Sequence, residues 1–163
     1  MNENRIDNIV IRDARIIRKN FRGEKTEFNS AGMRSFGVVI DDPEMAERLI
    51  ADGWNLRLMK PREEGDDPHW SLDVRVSYNR VPPKIVTITS RKKTPLTEDT
   101  VATLDSIRFL KANVAISPSF WRMSGRQGIK AYLKTLYVEI EEDEFEAEYE
   151  DIGNALYPLI DED

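Results

Sequence analysis

Hydrophobic and polar positions alternate along most of the chain with the period of a strand. The Ile/Val-rich stretch Asn8 to Lys19, interleaved with Arg12, Arg15 and Arg18, predicts a first strand that ends in a turn at Phe21-Arg22-Gly23-Glu24. From Arg34 onward, Phe36, Val38 and Ile40 alternate with Ser35, Gly37 and Val39, which predicts a strand with one face on a core. The period then changes. Asp42-Pro43 reads as a cap followed by proline at the first helical position, Met45, Ala46, Leu49 and Ile50 recur at helical spacing, and Gly53 closes the segment, so a short helix is expected. Trp54, Leu56 and Leu58 resume the alternation, and Pro61 to Pro68 reads as a polar loop. The clearest strand follows, with Trp70, Leu72, Val74, Val76 and Tyr78 on one face and Ser71, Asp73, Arg75 and Ser77 on the other, stopped by Pro82-Pro83. Ile85 to Thr89 predicts a further strand, Thr97 to Asp105 a short capped helical turn, and Ser106 to Ile116 and Ile129 to Ile140 two last strands around a loop from Ser117 to Gly128.

Roughly seven short strands with one small helix between the early ones predict a mainly β domain, and closing such a sheet would remove its exposed edges. Among small barrels the OB-fold fits best, because it carries one helix between strands and binds single strands on its sheet face and loops. The expectation is an OB-like antiparallel barrel with one or two short helices over residues 1–142, followed by a flexible acidic C-terminal tail over residues 143–163. A decorated β-sandwich is the structural rival, and strand order is not encoded in the pattern. The 163 residues suit one domain and contain no internal repeat.

Composition removes most enzyme classes. With no cysteine and one histidine, His69, the chain lacks thiolate nucleophiles, disulfides, thiolate zinc sites and multi-histidine metal sites. The P-loop, G-x-S-x-G and zincin patterns do not occur. Asp66-Asp67 near His69, and Glu141 to Glu144, could hold a divalent ion, but adjacent acids in a loop or tail are ordinarily solvated, so neither a metal nor a cofactor is expected and the protein reads as a non-enzyme. No apolar run approaches the roughly 20 residues that span a bilayer, and Met1 to Asp13 is too polar for a signal peptide, so an intracellular protein without membrane contact is expected.

Charge sharpens the picture. Of the 30 acids, 12 lie from Val138 onward, where no Lys or Arg occurs, and the other 18 share residues 1–137 with all 24 bases. The net charge of -6 therefore divides into +6 for residues 1–137 and -12 for residues 138–163. A cationic body attracts polyanions, and an acidic tail can compete for the same surface or serve solubility. The tail carries an apolar plug, Ala155-Leu156-Tyr157-Pro158-Leu159-Ile160, which a solubility device does not need and a docking peptide does, so Tyr157, Pro158, Leu159 and Ile160 are candidate partner-binding residues.

In the last strand, Lys130, Tyr132 and Lys134 fall on one face and Ile129, Ala131 and Leu133 on the other. A ring flanked by ammonium groups can stack a base while the lysines meet phosphates; a solvated strand face is the competing reading. The preceding loop adds Phe120, Trp121, Arg122 and Arg126, with Trp121 either a stacking platform or a loop anchor. Arg91, Lys92 and Lys93 form a second basic cluster, and Arg75 a further candidate opposite the core-facing Trp70; Trp54, Trp70 and Tyr78 are read as core.

The series Asn20-Phe21-Arg22-Gly23, Phe28-Asn29, Gly32 to Val38, Asp52-Gly53-Trp54-Asn55, Pro82-Pro83-Lys84-Ile85, Gly128-Ile129-Lys130-Ala131-Tyr132-Leu133-Lys134 and Glu141-Glu142-Asp143-Glu144-Phe145 resembles a family of tailed-phage single-stranded DNA-binding proteins, over about residues 8–151. The acidic segment with its apolar tip also resembles the tails of bacterial and phage single-stranded DNA-binding proteins, although here three acids follow Ile160. The resemblance implies a protein that coats single-stranded DNA without sequence preference in the cytoplasm of a bacterial host. It also implies contacts, through the tail, with phage or host replication and recombination proteins. Self-association into a homo-oligomer is compatible with it. Two other readings stand beside it, a phage anti-defence protein using the tail as a DNA mimic and a structural interaction module.

Overall fold

A computed structural model, which describes residues 6–27, 29–60, 64–65 and 68–141, divides the first apolar run into two strands. β1 (Ile9–Ile11) and β2 (Ile16–Asn20) are separated by residues 12–15, where Asp13 takes a positive φ of 54° and donates its backbone N–H to Asn113 Oδ1 at 2.9 Å. The chain turns there because its two halves have different partners, β1 with residues 114–116 and β2 with residues 35–38. The remaining elements are β3 (Arg34–Ile40), α1 (Pro43–Asp52), β4 (Leu56–Met59), β5 (His69–Val76), β6 (Lys84–Ile88), β7 (Lys93–Leu96), a 3-10 turn (Val101–Ser106), β8 (Phe109–Met123) and β9 (Arg126–Ile140). The acidic segment with Tyr157, Pro158, Leu159 and Ile160, and the pair Asp66-Asp67, lie outside the described residues.

The helix begins and ends where its caps dictate. Asp42 accepts the N–H of Glu44 at the start, Pro43 occupies the first turn, and Gly53 at φ 110° terminates the helix by returning its N–H to Ile50 and Leu49 carbonyls. The segment expected to form a helical turn near Thr97 is a 3-10 turn starting at Val101, and Lys93, read as part of a basic cluster, opens β7.

Nine strands among the described residues form one mixed sheet, more than the seven expected, in the order β1-β8-β9-β5-β3-β2, with β4 on β5 and the β6–β7 hairpin on β9. The expected all-antiparallel sheet is corrected in two ladders: β9 runs parallel to β5 at Val74–Ala131 and Arg75–Tyr132, and parallel to β6 from Lys84–Thr135 to Ile88–Glu139. The expected loop from Ser117 to Gly128 is also corrected. β8 continues through it to Met123 and turns at Ser124-Gly125 into β9, pairing Ser117–Tyr132 through Met123–Arg126. Pro118 is compatible with this because β1 has ended by Ile116, so that side of β8 carries no further ladder among the described residues.

One face of the sheet packs the core. Phe36, Val38, Leu72, Val74, Ile116, Leu136 and Val138 are buried there with Phe21, whose ring stacks on Phe36 at 5.2 Å. Trp54 is buried, and Trp70 and Tyr78 pack against the same cluster, as the alternation predicts. Polar bonds fix the region around Phe21. Its N–H and that of Arg22 donate to the two oxygens of Asp105, and Lys19 Nζ donates to the carbonyls of Leu104 and Ile107 above the Phe109 ring. Burial lowers the Lys19 pKa against the opposing pull of Asp105. Among the described residues no helix is long and apolar enough to cross a membrane.

Removing the Phe21 ring leaves a cavity between β3 and β8. Phe21→Ala is expected to lower the unfolding free energy by about 3–5 kcal/mol in urea titrations. A loss within the range of surface substitutions would remove Phe21 from the centre of the core.

Candidate nucleic-acid interface

The face of the sheet opposite the core carries a polar and basic surface whose layout follows from register. The ladders align Ser117, Tyr132, Arg75, Ser35 and Asn20 in one row across β8, β9, β5, β3 and β2. At the ordinary strand spacing this row is about 19 Å wide. Trp121, Met123, Arg126, Gly128, Lys130 and Tyr132 share the same face of the β8–β9 hairpin, because pairing from Ile116–Leu133 to Met123–Arg126 is unbroken. An open groove of about 980 Å³ lies over this face, lined among others by Arg18, Arg22, Arg34, Arg57, Arg75, Trp121 and Lys130.

Two aromatic side chains stand in or beside the groove. The Trp121 indole lies against Gly128, where a Cβ would come within 3.0 Å of Cζ2 and Nε1, and 38% of the residue remains exposed. The missing side chain at Gly128 is therefore the seat of the ring, and Trp121 both covers the strand backbone and offers a surface to a ligand. Tyr132 is half-buried, with the Arg80 guanidinium 5.0 Å from its ring centre; Arg80 is held in turn by a bond to Ser119 Oγ at 3.1 Å.

The cations of the groove differ in how far they are already neutralised. Arg22 pairs with Glu24 and Asp105, Arg34 with Glu98, and Arg18 and Arg57 both with Asp73. Arg75 donates only to Met33 Sδ at 3.4 Å, and neither it nor Lys130 has an acid partner among the described residues. Those two charges are the ones most available to an anion.

Of the residues singled out in the sequence, Arg75, Trp121, Arg126, Lys130 and Tyr132 share this face. Lys134 is exposed at an irregularity in the β8–β9 ladder, where β9 carries one residue more than β8 between Ile116–Leu133 and Ala115–Thr135. Arg122 is on the other face of the hairpin, with its Nη2 on Gln127 Oε1 at 3.1 Å. Arg91, Lys92 and Lys93 lie apart, at the tip of the β6–β7 hairpin. Ile88 is paired there with both Lys93 and Glu139, seven residues or roughly 23 Å of strand beyond Tyr132. The groove also contains arginines that the sequence reading did not select, Arg18, Arg22, Arg34 and Arg57. Gly37, alone among large apolar residues of β3, was the available signal for Arg18, since glycine inside a strand marks a close approach.

Comparison with known proteins bears on the family and the fold. The sequence profile of the family described as "Putative phage ssDNA-binding domain" matches residues 1–163. No curated protein matches the chain by sequence. Among solved structures, the single-stranded DNA-binding protein from bacteriophage Enc34 in complex with ssDNA superposes with a TM-score of 0.55 at 12% identity, over 83% of this chain and 88% of that one. A C-terminal truncation of the Enc34 protein gives a TM-score of 0.53 at 14% identity, over 83% and 87%. At these identities the likeness is one of fold.

The seat of Trp121 can be tested in the free protein. Gly128→Ala is expected to push the indole off the strand, and in 19F spectra of 5-fluorotryptophan-labelled protein the Trp121 signal, assigned by its loss in Trp121→Phe, should move most of the three. An unmoved Trp121 signal would place the ring elsewhere.

Proposed function

The chain belongs to the phage ssDNA-binding domain family, and from that premise we propose that it coats single-stranded DNA, without sequence preference, across the outer face of its sheet. The observation that carries this reading is the joint placement of Arg75, Lys130, Tyr132 and Trp121 on one open face, two cations with no acid partner among the described residues beside two accessible aromatic rings. Each base has a π-face, so stacking on Tyr132 and Trp121 is indifferent to sequence, while the cations follow the phosphates. A duplex keeps its base faces stacked inside and meets only the cations, so single strands are preferred. The binding is physical association, with no bond made or broken.

In this reading residues 1–142 are the binding domain, and the sheet is an OB-like barrel. The two ends of its strand order, β1 and β2, are joined by residues 12–15 of one run, and Ala14 donates its N–H to Ala112 on β8 while Val39 on β3 donates to Arg15, which ties that run to both sides of the sheet. Residues 143–163 act as an acidic tail that competes with DNA for the basic face and presents Tyr157, Pro158, Leu159 and Ile160 to replication or recombination proteins in the bacterial cytoplasm.

The test is fluorescence anisotropy of labelled oligo-dT. Affinity should fall as salt rises, and duplex of the same length should bind more weakly. Tyr132→Ala should cost on the order of 1–3 kcal/mol while the protein stays folded. Equal affinity for duplex and single strand, or a folded Tyr132→Ala that binds normally, would contradict stacking on this face. Deleting residues 143–163 should tighten binding at low salt and have little effect at high salt. A truncation that binds no more tightly at low salt would leave the tail as a solubility device.

A further inference from the structure

Three carboxylates line the groove, Glu24, Asp73 and Asp105, and Asp73 is the one that two arginines share. Asp73 accepts Arg18 Nη2 on Oδ1 at 2.9 Å and Arg57 Nη2 on Oδ2 at 2.8 Å. Asp73 and Lys130 immediately precede the paired residues Val74 and Ala131, which brings Lys130 to the same place in the sheet. Two cations therefore pair with one acid while Lys130 stands on the neighbouring strand without pairing to it, so among the described residues these three cations exceed the charge of Asp73 by two.

Arg18 is placed there at a cost. Its backbone has a φ of 49°, in the left-handed region that a non-glycine residue adopts only under constraint, within the irregular stretch of the β2–β3 ladder between Ile17 and Asn20. Its guanidinium crosses Gly37, the ladder partner of Asp73, where a Cβ would lie 2.8 Å from Nη2 and 3.1 Å from Cζ. The same Nη2 donates to Ser71 Oγ at 2.8 Å, and Ser71 is fully buried. A strained backbone, a side-chain-free gap and a buried hydroxyl together aim one arginine at one point. The ion pairs it reaches are exposed, and exposed pairs stabilise a fold little. The side chains of Arg18, Asp73 and Arg57 are 41%, 42% and 60% exposed, so the cluster is open to a ligand.

We propose that this cluster is a phosphate subsite of the groove, in which Asp73 stands in for a backbone phosphodiester of the bound strand. The carboxylate holds the Arg18 and Arg57 forks oriented in the free protein. On binding, a phosphodiester takes over those N–H groups, together with Lys130, and guanidinium groups suit both oxyanions. Asp73 then faces a like charge, so it orders the site and also restrains its affinity. The inference rests on the reading of this face as a single-stranded DNA interface.

Oligo-dT anisotropy at low and high salt, with thermal melting of each variant, tests it. Asp73→Asn should bind roughly three- to tenfold more tightly at low salt, because a like charge a few ångströms from the phosphate is removed, and the gain should shrink with salt. The same variant should melt close to the wild type, since exposed ion pairs stabilise the fold little. Arg18→Met and Arg57→Met should each bind more weakly and flatten the dependence of log K on log salt by about 0.7. Folded Asp73→Asn that binds equally or less tightly would make Asp73 an anchor for the strands and overturn the proposal. So would arginine variants with wild-type affinity and salt slope. If the wild-type protein binds no oligo-dT, the reading of the whole face fails and this subsite with it; if the wild type binds and only these variants are silent, the subsite alone fails.

Discussion

β9 is the strand on which the position of every other element depends. Its 15 residues pair along one side with β8 through the whole hairpin, and its other side is divided between two shorter strands, β5 at Ala131-Tyr132 and β6 from Thr135 to Glu139. The extra residue at Lys134 lies where one partner gives way to the other. Before it Ile129, Ala131 and Leu133 are buried, and after it Leu136 and Val138. Strict alternation from Ile129 would have turned Thr135 and Tyr137 inward, so the bulge resets the phase and lets one strand serve two parts of a curved core. The phase before the bulge is also what turns Lys130 and Tyr132 outward beside Arg75.

The proposed interface is thus a consequence of packing the other face. Once Phe36, Leu72, Val74 and Ala131 are committed to the interior, register leaves Ser35, Arg75 and Tyr132 in a line on the outside. Two glycines then take on opposite tasks on that surface. Gly128 receives the Trp121 ring, and Gly37 lets the Arg18 guanidinium through to Asp73. In each case the absence of a Cβ fixes the position of a large side chain from a neighbouring strand.

Much of this was legible from pattern. β3 and β5 follow from uninterrupted alternation, and α1 from Asp42, Pro43 and Gly53, because these are local signals. Local signals also explain the errors. Ser117, Pro118, Ser119, Ser124 and Gly125 resemble a loop by composition, yet β9 supplies a complete ladder that holds 117–123 as strand, and only Ser124-Gly125 turns. β7 was hidden because a four-residue edge strand containing Pro95 has almost no alternation to read. In the candidate site, Lys130, Tyr132 and Trp121 belong to one hairpin and could be grouped from sequence. Arg18 and Arg57 could not, since their meeting at Asp73 depends on β2, β3, β5 and β4 being neighbours, and strand order is a property of the whole chain.

Amide chemical-shift mapping tests most directly whether single-stranded DNA binds on the outer face of β9, β5 and β3. Titration of 15N-labelled protein with oligo-dT should perturb Ser35, Arg75, Trp121, Lys130 and Tyr132 together, with Arg91, Lys92 and Lys93 on the β6–β7 hairpin changing least. Perturbations centred on that hairpin, with the row from Ser35 to Tyr132 unaffected, would contradict the account.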